Sequence, residues 1–252
     1  MLTPAFSPLY SQIKDLILQS LQSAEWKPGE MIPSEIVLAK RYQVSQGTVR
    51  KALDALTKDN HLTRRQGRGT FVATHAEQQV QFRFLKLVAD PAESTSQSDL
   101  KVGTQRRVLV CKKQRTPSGI AKALSLKSSD QVFYIQRVLS LGNSSAESTP
   151  TILEDIWLPA SAFKGLSLQT LQNSNAPMYA MFEADFGVRM VRAVEHIRAV
   201  LPNPTQVDLL KLGANTPLLS VERTAFSYQD FPMEFRQGLY LTQNHHYRNE
   251  LG

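Results

Sequence analysis

One apolar stripe constrains the fold of this chain more than any other feature. Between Gln46 and about Asp59, Val49, Ala52, Leu53 and Leu56 recur at i, i+3, i+4 and i+7. That spacing buries one face of a helix and turns Gln46, Gly47, Arg50, Lys51 and Asp54 away from it. Ser45 stands where an N-cap is needed, and Pro33-Ser34-Glu35 opens a shorter helix just upstream, capped by Ser34 with Leu38 and Ala39 inward. Earlier still, Leu9, Ile13, Leu16, Ile17 and Leu21 mark an amphipathic helix over 8–24, with Pro8 acceptable in its first turn and Pro28-Gly29 closing the unit. Downstream, Asn60 suits a left-handed helix end, and 62–66 and 70–72 read as two short strands joined by Gly67-Arg68-Gly69. Three helices and a basic hairpin predict a winged helix-turn-helix.

Charge says what that unit is suited to meet. The 252 residues carry 29 Lys and Arg against 22 Asp and Glu, a net charge of +7, which favours an anionic partner without choosing among nucleic acid, membrane surface and acidic metabolite. Its location chooses: over 40–68 there are eight basic side chains against Asp54 and Asp59. In a helix-turn-helix the start of the second, exposed helix enters the major groove. Arg50 is placed to pair with guanine there, with a discrimination of about 1–3 kcal/mol, while Gln46 and Thr48 supply adaptable contacts. Arg68, between two glycines, reaches the minor groove or phosphate, and Lys40, Arg41, Lys51, Arg64 and Arg65 add attraction that is independent of sequence.

Other classes recede on composition. With 42% hydrophobic and 20% charged residues and no run near the length of a membrane span, the chain reads as globular, neither disordered nor membrane-spanning. The single Cys111 excludes an intramolecular disulfide framework and a multi-cysteine zinc site, and the N-terminus lacks a signal-peptide pattern, so a cytoplasmic location is expected. No phosphate loop or nucleophile motif is visible. His245 and His246 are adjacent and would face opposite sides of a strand, so neither a metal nor a cofactor is expected.

The polar, Ser-rich 90–99 reads as linker, placing a domain boundary between Thr74 and about Leu100. Beyond it, 108–110, 132–141, 151–158, 188–200, 218–226 and 233–241 read as strands. Helices are expected over 118–123, over parts of 168–185 and over 204–212. Turns are expected near 142–150 and 229–232, giving an α+β domain on a mainly antiparallel sheet. Arg137, Glu154, Glu195, Arg198, Arg223, Glu234 and Tyr240 interrupt these runs. Alternation alone places each on a solvent-facing side; a buried charge would need a paired group or a ligand.

The ordered series PLYSQIKDLI, KPGEMIPSEIVLAKRYQVSQGTVRKALDAL and GRGTFV resembles the GntR-type winged helix-turn-helix of bacterial transcription regulators. Likewise RVLVCKKQRT, VFYIQRVLSL, TILEDIWLPASAFKGL, MYAMFEADFGV and PLLSVERTAFSYQDFPMEF resemble UTRA, the chorismate lyase-like ligand-sensing domain that follows this reader in the HutC-like branch. The resemblance implies an α+β chain divided into a DNA-binding domain at 6–74, a linker at 75–99 and a UTRA effector-binding domain at 100–248. It implies DNA contacts from Ser34, Gln46, Gly47, Thr48, Arg50, Lys51, Gln66, Gly67, Arg68 and Gly69, and effector contacts from Arg137, Glu154, Tyr179, Glu234 and Tyr240.

Four departures sharpen these expectations. Relatives usually carry arginine at the positions of Ile36 and Gln46, and because Gln prefers adenine, the operator is expected to shift toward A opposite Gln46. Many sugar-phosphate sensors carry a second arginine at the position of Leu139 and a serine at that of Pro177. Their absence favours a small organic acid over a phosphosugar, unless Arg192 and Arg198 turn inward. The lyase-like fold raises the possibility of an enzyme, but the fused reader argues against catalysis. A sensor about twice the size of the reader argues against constitutive DNA packaging. The expectation is therefore a homodimeric regulator, a repressor, on near-palindromic operator DNA. It would be nucleoid-associated when bound, have no membrane partner, and be controlled by a small anionic effector, organic acid or phosphosugar.

Overall fold

The structure, a computed structural model, describes residues 7–74, 86–90, 104–141 and 150–248. In chain order the first elements are α1 (Leu9–Gln22), α2 (Glu35–Tyr42), α3 (Gln46–Lys58), β1 (Leu62–Arg65), β2 (Gly69–Val72) and β3 (Lys86–Ala89). Then come β4 (Thr104–Arg115), α4 (Ser118–Ala123), β5 (Gln131–Leu141), β6 (Pro150–Pro159), α5 (Leu168–Asn173) and α6 (Met178–Phe186). The last are β7 (Arg192–Val200), α7 (Pro204–Leu210), β8 (Leu218–Phe226), β9 (Pro232–Leu241) and β10 (His245–Arg248). Among the described residues no helix is long and apolar enough to cross a membrane.

By their contacts these residues divide into two compact units, the first comprising 7–74, 177–191 and 227–230. Its helices begin where the caps allow. The Ser34 hydroxyl accepts from the Val37 N–H at 3.4 Å and the Ser45 hydroxyl from the Thr48 N–H at 3.2 Å. Gln43, at φ 55°, and Asn60, at φ 59°, provide the left-handed turns after α2 and α3. The stripe on α3 is buried to 1% exposure or less at all four positions. Each of its large aliphatics contributes about 1.5–3 kcal/mol relative to exposure. Around it pack Ile13, Ile17 and Leu21 of α1, Trp26, Ile32, Leu38, Leu62 and Val72. β1 and β2 pair antiparallel, Leu62 opposite Val72, through a turn in which Gly67 takes φ 70° and Gly69 φ 112°.

The second unit is an antiparallel six-stranded sheet in the order β4-β5-β6-β9-β8-β7, with β3 and β10 forming a separate two-stranded sheet. Strand alternation sorts its residues. One face buries Val138, Leu153 and Leu218 with Leu210 of α7; the other carries Leu139, Ile152, Val221 and Tyr240, packed by Leu87 and Tyr247. α7 opens on a capping box in which Asn203 and Gln206 each bond the other's backbone N–H at 2.9 Å, with Pro204 at the first helical position.

Several elements differ from the sequence expectation. β4 reaches well beyond 108–110, because its flanking Arg and Lys side chains hide a pairing with β5 that runs from Thr104 to Arg115 with one register shift between Val108 and Val110. The strand expected over 188–200 begins only at Arg192, where pairing with β8 starts; the preceding segment belongs to the first unit. Four residues of the expected linker form β3, and the remainder of 75–99 apart from Asp90 lies outside the described residues, as does 142–149 of the expected turn.

Candidate DNA interface and ligand cluster

The outward face of α3 is built as the stripe requires. Ser34, Gln46, Gly47, Arg50, Lys51, Gln66, Gly67, Arg68 and Gly69 are exposed, and Thr48 is half-buried with its hydroxyl 2.9 Å from that of Ser45. What sequence reasoning missed is Glu35. Its carboxylate accepts from Arg50 Nε at 3.0 Å and NH2 at 2.9 Å, from Gln46 Nε2 at 3.1 Å and from Arg64 NH2 at 3.4 Å. The hydrogen bond from Arg50 holds the Glu35 carboxyl below its usual range, and the same bond raises the Arg50 guanidinium above its own. One carboxylate thus aligns the two candidate base-reading side chains before DNA arrives. No local pattern signals this, since Glu35 and Arg50 meet only in the folded chain.

The expected backbone-binding cations divide into two sets. Arg64 also pairs with Asp54 at 2.8 Å, and Arg41 pairs with Glu25 while lying over the rings of Trp26 and Tyr42. Part of their charge is already compensated. Lys40 and Lys51 stand exposed.

Just past α3, in the same unit, a buried arginine clamps the turn that follows the helix. Arg189, at 1% exposure, donates to the Asn60 and His61 carbonyls at 3.1 and 3.4 Å and to the Tyr228 hydroxyl at 3.1 Å. The His61 ring lies 5.4 Å from that of Tyr228. Burial, reinforced by the Arg189 charge, lowers the His61 imidazole to about 4.

In the second unit, four of the five predicted effector residues come together. Arg137 lies opposite Glu154 on β5 and β6, and Glu154 lies opposite Gly238 on β9, which puts Arg236 and Tyr240 one pleat to either side. Arg137 Nε donates to Glu154 at 2.6 Å, Arg236 NH1 to the other Glu154 oxygen at 2.8 Å, and Arg236 forks onto both oxygens of Glu234 at 2.9 and 2.8 Å. The Tyr240 hydroxyl reaches Glu154 at 3.5 Å. Gly238 makes room for that tyrosine, since a Cβ there would lie 2.5 Å from its ring. All of these charged groups are buried, contrary to the solvent-facing placement that alternation alone supports. Burial would push the Glu154 carboxyl up, but the Arg137 and Arg236 charges overrule it and hold it at about 2. Burial raises the Tyr240 phenol, keeping it a neutral donor.

Tyr179, the fifth, is buried on α6 in the first unit, its ring 6.1 Å from Phe182. Two residues on the sheet face that carries the cluster of the second unit lie outside the sequence expectation. Arg236 shares a strand face with Glu234 and Tyr240 at i+2 spacing, a signal that was present. Arg106, itself exposed, faces Leu139 across β4 and β5, close enough to Arg137 that partial desolvation and that charge together lower its own proton affinity, and donates to the Asn175 and Ala176 carbonyls at 2.9 and 2.7 Å. Among the described residues, Arg137 uses only its Nε in hydrogen bonding. Arg192 and Arg198 do not turn inward: Arg192 lies over the Phe226 ring, and Arg198 is 65% exposed beside Glu222.

A reading helix beside a wing, joined in one chain to a sheet with a buried polar cluster, defines a DNA-binding transcription regulator that carries a small-molecule-sensing domain. Residues 9–72 match the family described as bacterial regulatory proteins, gntR family, and 99–246 match the UTRA domain. The chain belongs to the GntR family, in the branch that carries a UTRA domain. It is 26% identical over 238 residues to the mannosyl-D-glycerate transport/metabolism system repressor of Escherichia coli, covering 94% of this chain and 93% of that protein. An HTH-type transcriptional regulator of Mycobacterium tuberculosis is 30% identical over 236 residues, covering 92% of this chain and 80% of its own length. Among solved structures, a ligand-binding domain assigned to a GntR-family regulator of Bordetella bronchiseptica is 42% identical. It matches with a TM-score of 0.60 over 68% of this chain and 99% of its own.

Proposed function

We propose that the chain is a homodimeric, cytoplasmic repressor with its reader at 6–74, a linker at 75–99 and its sensor at 100–248. Two readers sit on the half-sites of a near-palindromic operator. Arg50 reads guanine and Gln46 adenine; Ser34, Gly47, Thr48 and Lys51 line the groove, and Gln66, Gly67, Arg68 and Gly69 carry the wing against the backbone. Effector binds beside Arg137, Glu154, Glu234 and Tyr240, with Tyr179 as a further contact. The assignment of repressor is supported by relatives that are named as repressors of metabolic systems.

The observation that carries the ligand reading is the state of Arg137. Its Nε is fixed by a buried carboxylate while its terminal nitrogens have no hydrogen-bond partner among the described residues, which presents a rigid fork to an incoming carboxylate. Leu139 and Pro177 favour a singly charged organic acid. Arg106, opposite Leu139, supports the phosphosugar alternative, because it sets a second cation near the first.

A thermal-shift screen of the full chain against central-metabolism carboxylates and phosphosugars tests both. An effector at a hundredfold excess over its dissociation constant stabilises by about 2.7 kcal/mol. Arg137→Ala should lose that shift yet keep operator binding, and Tyr240→Phe should blunt the effector response while sparing DNA binding. A normal response in both variants would remove the cluster from the reading.

A further inference from the structure

We propose that Ile36, assisted by Met31, reads the operator by packing against the 5-methyl group of a thymine. This rests on the face carrying Gln46 and Arg50 being the base-reading face. Among the described residues Ile36 is the most exposed of the large hydrophobic side chains, at 69%, with Met31 at 57% and Val37 at 54%, so none of the three does work in the core. They fall within one short segment, 31–37. Ile36 and Met31 line a cleft of about 400 Å³ together with Ser34, Gln46, Gly69 and Thr70. The neighbour of Ile36 in the chain, Glu35, is bonded to Gln46 and Arg50, which fixes the first turn of α2 against the start of α3. Met31 is held from the other side, bridged to Phe71 of the wing and close enough that a Cβ on Gly69 would lie 3.2 Å from its sulfur.

An aliphatic side chain flanked by groove-reading polar groups has one apolar counterpart in the major groove. Thymine presents an O4 acceptor and a methyl; the other bases present only donors and acceptors. Arg50 and Arg64, both bonded to the adjacent Glu35, and the excess of basic residues over 40–68 make a polyanion a better occupant of this surface than a lipid tail or an apolar protein face. Ile36 and Gln46 then read neighbouring A·T pairs, the one by the methyl and the other by the adenine edge.

The test uses full-length protein and an operator selected from random duplexes. Each thymine is replaced singly by deoxyuridine, which removes only the methyl. At one thymine per half-site the affinity should fall about fourfold, the worth of one buried methyl. Ile36→Ala should bind the thymine and deoxyuridine operators alike, and Ile36→Arg should instead select guanine there. Tolerance of deoxyuridine at every thymine, or the same penalty in Ile36→Ala, overturns the proposal. Arg50→Ala separates the two failures: if it loses specific binding while deoxyuridine is harmless, only the methyl contact is wrong. If it keeps specific binding, the base-reading face itself is elsewhere.

Discussion

Replacing Glu154 by glutamine keeps the shape of the side chain and removes the one negative charge that both Arg137 and Arg236 touch, at 2.6 and 2.8 Å. In the folded chain its carboxyl sits at about 2 against an ordinary 4.5. That depression corresponds to about 3 kcal/mol of stability at neutral pH, with no discount for solvent because the side chain is 3% exposed. Stripping one partner from a buried ion pair costs about 3–5 kcal/mol by a separate route, so the two figures agree. For a chain of this size the melting temperature should fall by about 6–12 °C. The pH dependence follows from the same shift. A depressed carboxyl contributes stability above 4.5 that is lost as pH falls through about 2, because there the unfolded chain binds a proton the folded one lacks. Urea unfolding at pH 7 and at several values below 5 measures both effects. Glu154→Gln should lower stability at pH 7 and abolish that part of the acid slope. The paired change Arg137→Met with Glu154→Leu should lie closer to wild type than either single change. A glutamine variant within about 1 kcal/mol of wild type at pH 7 would refute the reasoning, since the network would then be no better than its neutral isostere.

Two further outcomes follow from the reader. His61 is neutral when folded, held at about 4 from an ordinary 6.5, so its contribution is present above 6.5 and fades as pH falls toward 4. His61→Gln should remove up to about 3 kcal/mol of that slope, and an unchanged profile between pH 4 and 6.5 would rule the histidine out. Glu35→Gln releases Arg50, Gln46 and Arg64 from their shared carboxylate. Non-specific DNA binding should tighten and the slope of log affinity against log salt should steepen by about 1, while discrimination between operators falls; titrations at several salt concentrations on specific and random duplexes would reveal an unaltered slope.

The reader was legible because its signals are local. Stripe, serine caps and paired wing glycines each act within a few residues, and each reappears in the structure where the spacing puts it. The sheet was legible in its central strands and less so at its margins. β3 and β10 hold four residues each and depend on one another for pairing, so neither carries a pattern of its own. The strand pattern takes in Arg189 because Val188, Met190 and Val191 surround it. Its burial against backbone carbonyls from residues 60 and 61 is a matter of tertiary contact that periodicity does not encode. The ligand cluster falls between these cases. Glu234, Arg236 and Tyr240 lie at strand spacing and could be grouped, but alternation is silent on which face is covered, and only the packing of Leu87 and Tyr247 on that side decides it.

Tyr228 belongs to the same apolar cluster as Ile17, Leu53 and Leu56, with Val191 packed against it, although more than a hundred residues separate it from the helices it joins. The DNA-reading module is therefore not a detachable cassette. Cutting the chain after the wing would leave a ring-sized gap in that cluster and strip the clamp from the Asn60 and His61 carbonyls just past α3. A recombination event that moved residues 6–74 onto an unrelated sensor would have to bring, or reinvent, a tyrosine and an arginine from the far end of the gene.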